Sequence, residues 1–134
     1  FQLMAEHGLD FTLTFRRLAD LADGSGAGPG NVGDLFEIPD PLLPWLARWH
    51  QRLAQETTSA TERQTRMYAA NPAFIARNHL VEEAIQAATR DDDLAPFHQL
   101  VDVLAQPCRF NSDLARYATP PQPEEVVKQT VCGT

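Results

Sequence analysis

The stretch from residue 71 to residue 88, NPAFIARNHLVEEAIQAA, constrains the fold more than any other part of the chain. Asn71 can cap a helix, and Pro72 suits a first helical turn, where its missing N–H needs no partner. Helical spacing then places Phe74 and Ile85 on one face. The sequence therefore predicts one amphipathic helix that starts at Asn71. Its core-facing stripe is predicted to contain Phe74, Val81, Ile85 and Ala88, with Leu80 and Ala84 along one margin.

Two polar residues lie at the borders of this stripe, Arg77 and Asn78. Because an unpaired buried polar group is costly, both are expected to have hydrogen-bond partners. They are either packing anchors with satisfied hydrogen bonds or residues that fix a neighbouring segment in one register. Neither interpretation gives them a part in chemistry. Asn71, Pro72, Arg77 and Asn78 are therefore predicted to be structural anchors.

Apolar residues also recur at helical spacing in most other segments. Asp10 is a predicted N-cap, Asp40 caps a helix with Pro41 at its first position, and Ser59 or a nearby threonine caps a short polar helix ending at Ala70. The acidic run Asp91-Asp92-Asp93 is predicted to end one helix and to favour the start of the next, and at most one short helix is predicted after it, around Ser112 to Tyr117, beyond the stripe that starts at Phe97. No alternation is long enough to support a sheet, so the predicted fold is an all-α bundle of four to six helices. The predicted core stripes are Phe11, Phe15, Leu18 and Ala22; Leu42, Leu46, Trp49 and Leu53; and Phe97, Leu100, Val101 and Leu104.

Two segments are not expected to be helical. Residues 24–33 contain five of the seven glycines, but they lack the Gly-Lys-Ser/Thr ending of a Walker loop and follow a helix instead of a strand. We interpret them as a flexible surface loop. Residues 118–134 form a predicted extended tail, because Pro120, Pro121 and Pro123 favour an extended course. Such a tail has no core of its own and must lie on something else.

Composition excludes several classes of function. The chain has 134 residues, about one domain, and a net charge of −7 with a single lysine, which argues against a nucleic-acid-binding surface. No apolar run approaches the roughly 18 residues of a membrane span. Two cysteines are too few for a disulfide-built fold, which favours a reducing compartment. The chain begins at Phe1 without a Met, so we expect a piece of a longer protein or a processed chain.

Few residues suggest chemistry. No serine lies in a G-x-S-x-G context, and His79 with Glu82 and Glu83 is a weak metal face that is better explained as an exposed polar surface. Cys132 lies third from the end on the predicted tail, where an accessible thiol can reach another thiol. The alternative, an inert terminal cysteine, is favoured by composition alone.

Four stretches of the chain resemble the selenoprotein O family. The run MYAANPAFIARNHLVEEAIQAA resembles the Asn-Pro…Arg-Asn helix of that family, and LMAEHGLDFTLTFRRL, PFHQLVDVLAQP and YATPP…VVKQTVCGT resemble other segments in the same order. The resemblance implies that residues 1–134 are a single helical region from the C-terminal portion of a bacterial, cytoplasmic parent.

The resemblance also implies what the parent does. Members have a kinase-like fold and transfer AMP from ATP to protein hydroxyls, using a divalent metal, Mg²⁺ or Mn²⁺. Their nucleotide and metal residues lie upstream of the stretches matched here, so no catalytic, cofactor-binding or metal residue is predicted in this chain. Cys132 takes the place of the family's terminal cysteine or selenocysteine, which is associated with a redox link to the core.

Two hypotheses about function follow. In the first, the chain is a non-catalytic helical portion of an AMP-transferring enzyme, with Cys132 as a redox-sensitive residue. Its partners are then the missing kinase-like core and the parent's protein substrates, with a homodimer formed through uncovered surface as a further option. In the second, the chain is a stand-alone helical domain that binds another protein. Neither involves nucleic acid or a membrane.

Overall fold

The structure, a computed structural model, describes residues 1–26 and 31–127. Within these ranges the chain forms seven α-helices and no strand, which confirms the all-α prediction. Five helices have 10 to 13 residues, and the other two are single turns. The helices are α1 (Gln2–Glu6), α2 (Phe11–Leu21), α3 (Leu43–Leu53), α4 (Ala60–Ala70), α5 (Asn78–Arg90), α6 (Ala95–Leu104) and α7 (Ala115–Ala118).

The second helix begins where the sequence predicts but buries a different face. Asp10 caps α2, since its side chain accepts a hydrogen bond from the Leu13 N–H at 2.8 Å. Leu18 is buried as predicted, whereas Phe11 is 59% exposed. Because α2 packs on α4 through its other side, the Phe11 side is left towards solvent. The buried residues of α2 are Leu13, Thr14, Arg16, Leu18, Ala19 and Asp20.

The prediction that Asp40 caps an α-helix starting at Pro41 is wrong by two residues. Asp40–Leu42 forms a single 3-10 turn, and α3 starts at Leu43 with Pro44 in its first turn. The reason is the second proline. A helix starting at Pro41 would put Pro44 at its fourth position, where a backbone N–H must donate within the helix.

The prediction that a helix starts at Asn71 is also wrong. Asn71 instead ends α4, because its backbone N–H and its side-chain Nδ2 both donate to the Met67 carbonyl, at 2.9 and 2.8 Å. Proline after a helix end is common, since it cannot continue the helix. The chain then runs extended, with the N–H groups of Ala73 and Phe74 donating to the Pro107 carbonyl at 2.8 and 3.1 Å. The next helix starts only at Asn78.

The following two helices, α5 and α6, pack on each other. In α5 the predicted margin, Leu80 and Ala84, is the buried side, and Ile85 is 50% exposed. In α6, Leu100 is buried as predicted, but Phe97 is 49% exposed. Both helices therefore direct part of their apolar surface away from the described part of the chain.

The turn between these helices follows the acidic-run prediction. Helix α5 ends at Arg90, and the Asp93 side chain accepts a hydrogen bond from the Ala95 N–H at 2.9 Å, where α6 begins. Asp92 has a positive φ of 52°, a left-handed conformation that Asp tolerates better than most residues. The three aspartates thus form the turn between α5 and α6.

The core draws on residues from distant parts of the sequence. Val32, near the end of the glycine-rich stretch, and Phe74, in the extended segment, are 0% and 2% exposed. The main cluster consists of Leu13, Val32, Ala73, Phe74, Val103 and Ala118. Burial of these apolar side chains is the main stabilising contribution to such a fold. Helix α2, the extended segment and the C-terminal third therefore share one core.

The C-terminal segment combines short helical turns. The predicted helix around Ser112 to Tyr117 is a 3-10 turn, Ser112–Leu114, followed directly by α7. Another 3-10 turn, Pro123–Glu125, interrupts the predicted extended course of the tail. Residues 128–134, which include Cys132, and residues 27–30 of the glycine-rich stretch lie outside the described residues.

Candidate functional site

A buried polar cluster joins α2 to α4. Arg16 and Asp20 are 1% and 0% exposed, and their i,i+4 spacing places both on one face of α2. The guanidinium carbon of Arg16 lies 4.3 Å from the centre of the Tyr68 ring, within the range of a cation–π contact. The Tyr68 hydroxyl donates to Asp20 Oδ1 at 2.8 Å. The three side chains therefore form one continuous contact between the two helices.

Arg16 also holds together backbone from three places in the sequence. Its Nη1 donates to the carbonyls of Tyr68, Asn71 and Cys108 at 3.2, 3.0 and 3.1 Å. Tyr68 and Asn71 lie at the end of α4, and Cys108 follows α6. Carbonyls at helix ends lack intrahelical partners and need a donor. A single guanidinium supplies it, and it thereby fixes the course of the chain around Asn71 and Pro72.

Asp20 connects the same cluster to the end of the glycine-rich stretch. Its Oδ2 accepts hydrogen bonds from the Val32 N–H at 2.9 Å and from Arg17 Nη1 at 3.2 Å. Arg17 Nη1 is also 2.8 Å from Asn31 Oδ1 and 3.2 Å from the Gly26 carbonyl. The described ends of the predicted loop, Gly26 and Asn31, are thus both bonded to α2.

A second, partly buried ion pair joins the start of α2 to the start of α5. Arg77 Nη1 and Nη2 donate to Asp10 Oδ2 and Oδ1 at 2.8 and 3.3 Å, a bidentate arrangement. The Arg77 side chain is 6% exposed. Since Asp10 Oδ1 also caps α2 through the Leu13 N–H, one carboxylate sets the relative position of both helices. Asn78 is exposed, so the argument for a buried partner does not apply to it.

The environment of the cluster fixes the protonation of its members. Burial raises the pKa of Tyr68, and the hydrogen bond to Asp20 raises it further, so the phenol remains a proton donor. Burial lowers the pKa of Arg16, while Tyr68 and Asp20 act in the opposite direction. Every polar contact described for these groups is made to another part of this chain. The arrangement suits packing and orientation, not reaction with a substrate.

Sequence reasoning missed Arg16 and Asp20 altogether. Their only local signal is an arginine and an aspartate four residues apart on a helix, which is usually a surface ion pair of small energetic value. What makes them internal is distant: Tyr68, Val32 and Cys108 are 12 to 92 residues away in sequence. No local pattern carries that information.

A depression of about 620 Å³ on the surface of α5 is acidic. Its lining includes His79, Glu82, Glu83 and Glu125. His79 Nδ1 is buried without a hydrogen-bond partner, and desolvation lowers the pKa of the imidazole. Among the described residues no three His, Cys, Asp or Glu side chains converge to hold a metal ion. His79 and Glu82, one helical turn apart, both line this polar depression.

Exposed phenylalanines lie in two places on the described part of the chain. Phe11 contacts Phe15 and Phe1, with ring centres 4.8 and 6.0 Å apart. The second place is the groove between α5 and α6, which we call the α5–α6 groove; its volume is about 380 Å³ and all the residues that line it are apolar. Side chains of the predicted core stripes, Ile85 and Phe97, line this groove.

Within residues 1–26 and 31–127, no helix has the length and apolar character needed to cross a membrane.

The chain is similar to known proteins over its whole length. Residues 1–105 match the family model described as protein adenylyltransferase SelO. Two relatives from Bradyrhizobium strains, each named protein nucleotidyltransferase YdiU, are 52% and 54% identical over all 134 residues of this chain. A Rhizobium meliloti relative of the same name is 50% identical over 132 residues, 98% of this chain. This chain covers only 27% of the length of each of these relatives. The chain therefore belongs to the SelO family of protein adenylyltransferases.

Proposed function

We propose that this chain is the non-catalytic, helical C-terminal portion of an enzyme that transfers AMP from ATP to hydroxyl groups of proteins. The observation that carries the proposal is the combination of two facts. The family model covers residues 1–105 of this chain, yet the chain covers only 27% of the length of its named relatives. The catalytic residues of the parent are assigned to the part of the parent outside this chain.

The chemistry of the described residues supports that division. ATP with Mg²⁺ or Mn²⁺ requires carboxylate and carbonyl ligands for the ion and donors for the phosphates. Two internal carboxylates, the buried Asp20 and the partly buried Asp10, are bound by Arg17 and the Tyr68 hydroxyl and by Arg77, respectively. These contacts leave neither carboxylate free for a metal ion, which supports our proposal that the nucleotide–metal site lies elsewhere in the parent. When bound elsewhere in the parent, the metal would neutralise the charge that develops on the phosphates.

In this proposal the chain's own residues act as a scaffold. Arg16 and Asp20 hold α2, α4 and the segment after α6 together, and Arg77 fixes α5 to α2. The scaffold presents a defined surface to the kinase-like core, and protein substrates bind the parent as a whole. We place the parent in the bacterial cytoplasm as part of the same proposal.

The test is AMP transfer by the parent and by this chain alone. Both are incubated with labelled ATP, Mg²⁺ or Mn²⁺ and a protein acceptor, and nucleotide binding is measured in parallel. The proposal expects transfer by the parent and neither binding nor transfer by the 134-residue chain. Binding or transfer by the chain alone would overturn it.

Cys132 carries a separate part of the proposal, a redox-regulatory role in the parent. Its thiol lies outside the described residues, so support comes only from its position next to the terminal Gly-Thr in the sequence. The parent and its Cys132→Ser variant are compared in AMP transfer under oxidising and reducing conditions. A redox response that disappears in Cys132→Ser, but persists in Cys108→Ser, is expected. An identical response in both variants would exclude the role.

A second candidate function is a stand-alone helical domain that binds another protein. One observation favours it, namely that the α5–α6 groove is lined only by apolar residues and is open to solvent. This hypothesis expects a gene whose coding sequence starts near Phe1 and a stable complex with a separate protein. The first hypothesis expects a coding sequence that continues upstream with a kinase-like region.

A further inference from the structure

The α5–α6 groove combines exposure with an apolar lining. Four of its side chains are about half exposed: Ile85 at 50%, Leu94 at 53%, Phe97 at 49% and Val101 at 48%. No charged or polar residue lines it. Hydrated apolar surface is unfavourable in proportion to its area, and soluble monomers rarely leave a large contiguous apolar patch exposed.

Helix α6 has apolar residues on two of its sides, whereas a typical surface helix has them on one side only. Leu100 and Val103 are 7% and 8% exposed and face the interior, whereas Phe97 and Val101 lie one turn apart on the open side. A helix that is apolar on more than one side is normally buried on those sides. The described part of the chain covers only one of them.

The aromatic cluster at α2 is a weaker candidate for the same role. Its rings already contact one another, with Phe11 4.8 Å from Phe15 and 6.0 Å from Phe1 between ring centres. Phe97, on the other side, has a ring contact only with neighbouring His98 among the described residues. Unlike Phe11, Phe97 in the α5–α6 groove therefore has no other phenylalanine ring against it among the described residues.

We propose that the α5–α6 groove is the surface on which the rest of the parent chain packs, through an apolar ridge that inserts between the two helices. The relatives provide the reason for choosing this occupant. Since the chain covers 27% of their length, nearly three quarters of such a protein lies outside it. An occupant from the same chain also avoids most of the entropy lost in bringing two separate molecules together. The inference rests on the proposed function in one respect, that this chain is a piece of a longer parent.

Thiol labelling of the parent tests the inference directly. In a parent with its native cysteines replaced by serine, Phe97→Cys and Val101→Cys place a thiol on the groove side of α6. His98→Cys and Asp102→Cys are matched controls, because both positions are exposed in this structure and have the same i,i+4 spacing on the same helix. Labelling with a water-soluble maleimide is followed by mass spectrometry, and circular dichroism confirms that each variant is folded.

We expect thiols at positions 97 and 101 to react slower than those at 98 and 102 by about tenfold or more, because a covered thiol reacts only after local opening. Val101→Cys changes little volume, so it keeps the test valid if Phe97→Cys disturbs the packing. Equal rates at all four positions would overturn the inference. Protection that is lost on dilution would also overturn it, because it would mean that a second copy covers the groove.

The labelling result is independent of enzyme activity. Protected groove thiols in a parent that transfers no AMP would support the packing surface and contradict the proposed function. Reactive groove thiols in an active parent would contradict the packing surface alone.

Discussion

Asp20→Ala is expected to lower the free energy of unfolding by about 3–5 kcal/mol, the range seen when a buried charged partner is removed. The structure shows where this loss arises. The carboxylate accepts hydrogen bonds from the Val32 N–H at 2.9 Å, from the Tyr68 hydroxyl at 2.8 Å and from Arg17 at 3.2 Å. Val32 is 0% exposed, so its N–H would be left without a partner, at a cost of about 1–3 kcal/mol. Arg16, 1% exposed, would lose its favourable electrostatic interaction with the Asp20 carboxylate.

Asp20→Asn separates hydrogen bonding from charge. An amide can accept from the Val32 N–H with its oxygen and donate to the Tyr68 oxygen with its NH₂ group, so only the charge contribution is lost. We therefore expect a smaller loss, about 1–2 kcal/mol, typical of a hydrogen bond to a charged group becoming neutral. The ordering Ala worse than Asn is the essential part of the prediction.

The assay is urea unfolding of the 134-residue chain, followed by helical circular dichroism. Asp102→Ala is the matched control, because Asp102 is an exposed helical aspartate and its loss is expected to change stability by about 0.5 kcal/mol or less. If the slope of the unfolding free energy against urea concentration is unchanged, the variants differ in stability and not in the compactness of either state. If Asp20→Ala were as stable as Asp102→Ala, the interpretation of the cluster as the centre of the fold would be refuted.

Three further predictions concern other charged or titrating groups. Asp10→Asn keeps a capping oxygen but leaves Arg77 buried without its charge partner, so stability should fall by about 2–3 kcal/mol; a double-mutant cycle with Arg77→Met should show coupling between the two positions. Burial and Asp20 raise the pKa of Tyr68, so the folded state keeps the phenol proton and stability should fall as pH rises above about 10. Phenolate absorbance of the Tyr117→Phe variant, in which Tyr68 is the remaining tyrosine, measures the Tyr68 titration. Desolvation lowers the pKa of His79, so stability should decrease as pH falls below about 6.5, where the unfolded state takes up the proton. Proton NMR of the imidazole signals, assigned with His79→Gln, measures the His79 titration in the folded state.

Local chemistry in the sequence predicted where several elements begin and end. Asp10 and Ser59 cap α2 and α4 because short polar side chains satisfy N–H groups that every helix leaves free. The aspartates after Arg90 form the predicted turn for the same reason. These features depend on residues within three or four positions of each other, so they can be predicted from the local sequence alone.

The Asn71–Pro72 pair shows where local chemistry is ambiguous. Asparagine followed by proline is compatible with the start of a helix, but also with the end of one, because Asn can close a helix and Pro cannot continue it. The Pro107 carbonyl decides between the two by accepting from Ala73 and Phe74. That acceptor is more than 30 residues away, so the sequence alone left the wrong alternative in place.

Helical spacing identified apolar surface on α2, α5 and α6, but it did not identify which side of each helix is buried in this chain. Phe11, Ile85 and Phe97 were predicted to face the core, yet they are 59%, 50% and 49% exposed. Periodicity identifies surface that must be covered; it does not identify what covers it. If the rest of the parent packs against α5 and α6, then Ile85 and Phe97 are core residues of the parent and not of this chain.

The buried charges Arg16 and Asp20 have their hydrogen-bond partners within this chain, whereas the apolar side chains of the α5–α6 groove are half exposed. This difference bears on how the parent is assembled. Buried charges such as Arg16 and Asp20 need their partners whenever they are dehydrated, because an unpaired buried charge is severely destabilising. Their partners all belong to this chain, from Val32 to Cys108. Exposed apolar side chains such as Phe97 and Val101 carry no such requirement, since water tolerates them at a cost that grows only with area. The polar cluster therefore sets the shape of the helical unit internally, and the α5–α6 groove is the surface whose contacts another part of the parent can complete.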